Sequence, residues 1–276
     1  MSWLFITAGI GSKDFEDAAN RLISQVQTLG IFDKCVSIDQ DTFEKVCPEF
    51  QDLVPSEEWN LGACFGHYIW KAMLAEKAAN GFWGDFNGVC WLDAGCEVIP
   101  SYFSRKSFLR LMAESERTGV VVFSTGAPES SYTKREVFNH FPGHPSDDRS
   151  DQIAAGSWFF HGAVGVGLAK EWSRIAVSNY QLLSSRYDPE IQTDEFVSPR
   201  FEQSILSLVC KSRSISPQRI RPPGSANNLK SFLRNFTFAF RWARNRTGND
   251  SSPVIFRILG SVTLLTTGKF PHSFQG

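Results

Sequence analysis

The residues best suited to chemistry lie in Trp91-Leu92-Asp93-Ala94-Gly95-Cys96. An apolar run that starts at Gly88 ends there on a carboxylate, followed by a small residue and a glycine. A buried strand ending this way puts an acid at the edge of a sheet, where it can hold a divalent cation or a ribose hydroxyl. The plainer reading is an acid that caps a turn. Thr7-Ala8-Gly9 closes an earlier apolar run, and small residues at that point let a ligand approach the backbone. Three other residues have plain structural readings: Trp70 suits a helix's core face, Lys71 a solvated one, and Glu202 the first turn of a helix, where the dipole favours an acid. His140, His144 and His161 have no evident partner in the sequence.

Elements must bring these residues together. Residues 3–7 read as a buried first strand, and 14–29 as a helix with Phe15, Ala18, Ala19, Leu22, Ile23 and Val26 at helical spacing. Residues 34–38 follow as a second strand, and this β-α-β opening predicts parallel pairing. The pattern predicts a helix and a turn over 41–55, then a long helix over 61–79 that carries Trp70 and Lys71. Continuous apolar strands are predicted at 88–93, 120–124 and 153–161. Helices are predicted over 102–116, 132–141, 169–183 and 201–210, the last carrying Glu202 and Gln203. This alternation places residues 1–215 in the α/β class. After Ser212 the sequence becomes linker-like, Ser-Pro-Gln-Arg-Ile-Arg-Pro-Pro-Gly-Ser. Residues 229–246 then mix Phe and Trp with Arg at positions suited to an amphipathic helix, and 254–265 form a short apolar stretch. The division is thus a domain over 1–215 and a basic, aromatic extension over 216–276.

The string Gly66-His67-Tyr68-Ile69-Trp70-Lys71, followed by Trp91-Leu92-Asp93-Ala94-Gly95-Cys96, resembles a family of bacterial glycosyltransferases. Its members carry G-x-W-x-W-K-P on a helix and Y-L-D-A-G-C after a strand. Tyr132-Thr133-Lys134-Arg135-Glu136-Val137-Phe138 is similar to that family's Y-T-K-x-x-x-F, Asp151-Gln152-Ile153-Ala154-Ala155 to its Q-I-x-A strand entry, and Arg200 to Leu208 to its R-H-D-Q-S-x-x-S-L. The pieces occur in the family's order over residues 3–215. Ala72 stands where the family has Pro, and Glu202 where it has Asp.

The resemblance implies an α/β, GT-A-like fold with a mixed, mostly parallel sheet flanked by helices. It implies a glycosyltransferase of hexosyltransferase type, moving a sugar from a nucleotide-diphospho-sugar to a hydroxyl of a glycan or lipid-linked acceptor in polysaccharide or glycolipid synthesis. On this reading Asp93, Glu202 and Asp151 are catalytic, and Thr7, Ala8, Gly9, Trp70, Lys71, Asp93, Ala94, Gly95 and Gln203 bind the donor. A divalent manganese or magnesium ion would sit on Asp93. GT-A enzymes typically bridge the metal with Asp-x-Asp, whereas here the third position is Gly95. A reaction without metal would need cationic side chains against the departing diphosphate, and Lys71, Lys134 and Arg135 are the candidates. The alternative is a catalytically silent protein that binds a sugar nucleotide or glycan on the same fold. A nucleotidyltransferase finds only a faint echo of its glycine-rich loop in Ala8-Gly9-Ile10-Gly11-Ser12-Lys13, and no G-x-G-x-x-G follows the first strand to suggest a dehydrogenase.

Composition agrees with a folded body and a distinct tail. Hydrophobic residues make up 42% and aromatics 13%, with 24 Phe and 8 Trp among 276 residues, enough for a bulky core. The net charge of −1 conceals an asymmetry: from Lys211 onward there are 11 Lys or Arg and one acid, against 17 bases and 28 acids before it. The plain reading of a basic tail is a solvated one; it also suits peripheral contact with a membrane, and no nucleic acid partner is expected. The six Cys form no CxxC pair and have no zinc-ligand spacing, as expected of buried thiols in a reducing compartment. With neither a secretory signal nor an 18-residue apolar run, a cytoplasmic location is expected, at the inner face of the membrane if the tail binds there.

Overall fold

The computed structural model describes residues 1–60 and 62–218, together with the backbone of Arg241–Trp242. In chain order the elements are β1 (Trp3–Ala8), α1 (Lys13–Gln27), β2 (Lys34–Ile38), α2 (Gln40–Val46), α3 (Phe50–Leu53), α4 (Cys64–His67), α5 (Ile69–Ala79), β3 (Gly88–Leu92), β4 (Cys96–Glu97), α6 (Tyr102–Thr118), β5 (Val120–Pro128), α7 (Glu129–Tyr132), α8 (Arg135–His140), β6 (Asp151–His161), α9 (Gly162–Ser178), α10 (Phe201–Ser212) and β7 (Arg241–Trp242). Local chemistry explains several boundaries. Ser12 caps α1 by accepting from the Phe15 N–H, and Ser101 caps α6 by accepting from Ser104. The helix predicted to open 41–55 is α2, and the turn predicted after it contains a second short helix, α3; Pro48 separates the two, because proline supplies no amide hydrogen and disfavours helix in the residue before it.

The main sheet has the order β2-β1-β3-β6-β5. β2, β1 and β3 pair in parallel, as the β-α-β opening predicts. β6 runs the other way, with Gly88 opposite His161 and Leu92 opposite Ser157, and β5 is antiparallel to β6. Four of the five strands therefore share one direction, and the sheet is mixed but mostly parallel. Alternation along the strands splits the core in two. Leu4, Ile6, Val89, Trp91, Trp158 and Phe160 meet α2, α5, α9 and α10 on one face. Trp3, Phe5, Cys90, Leu92 and Phe159 meet α1 and α6 on the other. On the first face Trp91 stacks on Trp158 (5.9 Å, 11°), and Trp158 on Phe160 (4.2 Å, 18°). Such pairs add about 0.5–1.5 kcal/mol each beyond their buried area.

The helix predicted over 61–79 is shorter than its pattern suggests. Its regular part, α5, begins at Ile69; the short α4 before it is a left-handed turn, with Cys64, Phe65, Gly66, His67 and the following Tyr68 all at φ between 49° and 72°. Four of the five carry side chains, so this left-handed turn costs on the order of 1–2 kcal/mol per non-glycine residue and persists only because its surroundings fix it. Phe65 is one anchor. Its ring lies against Gly11, where φ is +95° and an added Cβ would come within 2.0 Å of the ring.

Beyond α10 the chain returns to the sheet. Gln218 bridges to Phe123 in parallel, and Arg241–Trp242 pairs with β4, Cys96 opposite Trp242. Those two residues are strand rather than the amphipathic helix predicted over 229–246. The rest of that stretch and the apolar 254–265 lie outside the described residues, as does most of the proposed extension. Among the described residues, no helix is long and apolar enough to cross a membrane.

Candidate active site

β3 delivers Asp93 to the carboxyl edge of the parallel strands. The residue continues the strand's pairing, its N–H donating to Gly156 O at 2.9 Å, and a tight turn follows in which Cys96 N–H donates to Asp93 O. Trp91, two residues earlier, shares its face of the sheet, so the indole Nε1 donates to Asp93 Oδ1 at 2.9 Å. Gly156 on β6 leaves room for the carboxylate, since a Cβ there would stand 2.8 Å from Oδ2.

Two helices complete the cluster. The first turn of α5 carries Lys71, whose Nζ donates to Asp93 Oδ2 at 2.9 Å. The first turn of α10 carries Glu202, whose Oε1 is 3.5 Å from the same ammonium. The Tyr68 ring, with its centroid 4.7 Å from Nζ, covers another side. Asp93 faces outward at 37% side-chain exposure, whereas Lys71 (8%) and Glu202 (3%) lie beneath it. Neither helix has a side-chain N-cap, and both begin at this point, so their amide dipoles converge on it.

Burial and charge set the ionisation. Burial opposes the Lys71 ammonium, but Asp93 and Glu202 outweigh it and hold its pKa above the usual lysine value. Burial likewise pushes the Glu202 carboxyl up, with Asp93 adding to the rise and Lys71 opposing it, to about 7. A carboxyl that ionises there can exchange a proton at neutral pH.

A supporting shell fixes the loop after Asp93. Arg21 on α1 is buried and donates to Ala94 O (2.9 Å) and to Cys96 O (3.1 Å). Gln25, one turn later, accepts from Arg21 and from the Val98 N–H. On the other side, His67 is buried with Nε2 3.4 Å from Glu58, which accepts from the Tyr180 hydroxyl at 2.6 Å. Burial lowers the pKa of His67, so the imidazole stays neutral more readily than an exposed one.

Asp93, Lys71 and Glu202 meet. Asp151 does not join them. It opens β6 five residues before Gly156, on the order of 15 Å along an extended strand, and there it accepts from Ser124 Oγ. Trp70, expected to stack on a donor, is 6% exposed and packs against Tyr68 and Trp91 as part of the core. Gln203, expected to touch a sugar, accepts from the Ala155 N–H and donates to Gln152 Oε1. Thr7, Ala8 and Gly9 reach the carboxyl edge, but Thr7 is fully buried, and a Cβ at Gly9 would strike Phe15 O. Ala94 and Gly95 form the turn under Asp93. Lys134 donates to three backbone carbonyls, of Gln181, Ser184 and Arg186, so it pins a loop. Arg135 lines a separate cleft of about 430 Å³ with Phe138, Asn139 and His144.

Sequence reasoning missed Arg21, Gln25, Gly156 and Tyr68. Two signals were present: Arg21 and Gln25 extend the buried stripe of Ala18 and Leu22, and Gly156 interrupts a strand of otherwise larger residues.

The site does not fit a divalent cation bridging Asp93 and Glu202. Both carboxylate oxygens already accept from protein donors, Trp91 and Lys71. The place between Asp93 and Glu202 holds the Lys71 ammonium, and among the described residues no three His, Cys, Asp or Glu gather as a metal set.

No family model and no curated protein matches the sequence. Among solved structures, the chain is similar to a glycosyltransferase involved in the glycosylation of the major capsid of PBCV-1, at 11% identity and a TM-score of 0.45 over 95% of this chain and 100% of that one. It is also similar to mouse xyloside xylosyltransferase 1 in its apo form, at 10% identity and a TM-score of 0.39 over 80% of this chain and 85% of that one. Likenesses this weak leave the function to be argued from the site.

Proposed function

We propose that this protein is a glycosyltransferase that moves a sugar from a nucleotide-diphospho-sugar to a hydroxyl of a glycan or lipid-linked acceptor. The observation that carries the reading is the Asp93–Lys71–Glu202 cluster at the carboxyl edge of the parallel strands, where ligands of open α/β sheets bind. The order of the sequence motifs around these residues supports it. In the reaction the bond from the anomeric carbon to the diphosphate oxygen breaks, and its electron pair leaves with the diphosphate. The acceptor oxygen bonds to the anomeric carbon and gives up its proton to a base. Asp93, the outward carboxylate, orients the donor; Lys71 stabilises the departing charge; Glu202, ionising near neutrality, is suited to hold the proton.

The 11 Lys or Arg against one acid from Lys211 onward favour an acceptor presented at an anionic membrane surface. The test is a panel of UDP-, GDP-, CMP- and dTDP-sugars, read by thermal shift and by release of the free nucleotide. One or more should bind and turn over in the presence of acceptor lipid, and Asp93→Asn should abolish both signals. Silence across the panel, or an unaffected Asp93→Asn protein, would refute the reading. Truncation after Pro217 should weaken binding to anionic vesicles; equal binding by both chains would remove the membrane from the proposal.

A further inference from the structure

We infer that Lys71 is the permanent cation of this site and that the donor diphosphate is bound without a divalent metal. The inference rests on the glycosyltransferase reading and deepens it. A bound metal would be expected to contact Asp93 and draw on a second carboxylate. Here the second carboxylate is Glu202, and the position between the two is taken by the Lys71 ammonium, 2.9 Å from one and 3.5 Å from the other. Lys71 is not a visitor from the surface. Its side chain is 8% exposed, it is among the buried residues of α5, and the Tyr68 ring lies over Nζ.

Asp93 offers little to a competing ion. Trp91 Nε1 holds Oδ1 and Lys71 holds Oδ2, and the absence of a side chain at Gly156 lets Oδ2 lie against β6. An ion arriving with the donor would meet an Asp93 charge already shared with Lys71, and would gain Asp93 alone as a protein ligand while the ammonium stays in place.

The ammonium has capacity for the diphosphate. It carries three N–H donors, and only the contact to Asp93 lies at full hydrogen-bond length. The contact to Glu202 is long enough to exchange for a phosphate oxygen, and protonation of Glu202 as negative charge arrives would release it further. The two uncapped helix starts add partial positive charge from the same direction.

The experiment compares donor binding by the full chain in excess EDTA and in excess manganese, using the sugar nucleotide that gives the largest thermal shift and its nucleoside diphosphate as probes. Equal shifts in the two buffers are expected. A shift that appears only with manganese overturns the inference and leaves the glycosyltransferase reading standing; no shift with any sugar nucleotide in either buffer removes both. A second arm uses Lys71→Ala and Lys71→Arg. In EDTA, Lys71→Ala should bind the donor about 10- to 100-fold more weakly, and Lys71→Arg should lose less. Manganese should recover part of the Lys71→Ala loss, because the vacated place between Asp93 and Glu202 can then accept an ion. Unchanged donor affinity in Lys71→Ala would also overturn the inference. If that variant does not fold, the comparison of buffers on the unaltered chain still decides.

Discussion

Replacing Glu202 with Gln gives a quantitative check on the electrostatics of the site. The Glu202 carboxyl ionises near pH 7 in the folded protein, against 4.5 for an ordinary glutamate. Between those values the folded chain holds a proton that the unfolded chain has released, so stability falls as pH rises through that window. The whole difference is present below about pH 4.5, and the loss is complete once Glu202 has ionised in the fold. Its integrated size is about 3 kcal/mol, taking 1.36 kcal/mol for each pH unit between the two values. Lys71 is held above the usual lysine value and stays charged throughout, so it contributes no slope of its own. Gln has the same shape and never ionises. Urea unfolding of both proteins from about pH 4.5 to about pH 8 should therefore show the variant gaining about 3 kcal/mol on the parent across the window, with unchanged m-values. Two curves that stay parallel to within roughly 1 kcal/mol would refute the burial and charge assignments at Glu202.

Three other outcomes follow from the packing. Gly156→Ala should push the Asp93 carboxylate off Lys71, destabilising the fold by about 1–3 kcal/mol and weakening donor binding; a variant equal to the parent in urea and in thermal shift would contradict the close approach. Arg21→Met leaves the Ala94 and Cys96 carbonyls without their buried donor and should destabilise by about 2–4 kcal/mol, with a midpoint change below roughly 1 kcal/mol counting against it. A thiol reagent should modify at most Cys35 and Cys64 in the native state, and all six cysteines in denaturant, because Cys47, Cys90, Cys96 and Cys210 are buried and burial pushes their thiols up.

What the sequence reveals depends on the range of the interaction. The approach of β3 to Asp93 is legible because a continuous apolar run ending on an acid is a local signal, and the β-α-β opening forces the parallel start of the sheet. The reversal of β6 is not legible, because an apolar strand reads alike in either direction. Lys71 can be named as a cation of interest, yet its capture by Asp93 and Glu202 depends on α5 and α10 meeting over the sheet, 131 residues apart in sequence. Asp151 shares the residue type of a catalytic acid but sits far along its strand, a distance that only the register reveals. The left-handed turn before α5 defeats pattern reading altogether. Cys64, Phe65, His67 and Tyr68 lack the glycine or asparagine signature of positive φ, and helical spacing runs straight through them.

The seating of Phe65 on Gly11 makes two positions 54 residues apart mutually dependent. Any side chain at 11 is barred while an aromatic occupies 65, and a smaller residue at 65 opens a void that position 11, at its positive φ, is poorly able to fill. The pair is thus epistatic: each single change is penalised against the parent background, and the effect of the second depends on whether the first is already present. In a lineage, these two sites can change only along a narrow ordered route, so the lock between the first loop and the turn that leads to Lys71 should be among the slowest-drifting features of the chain.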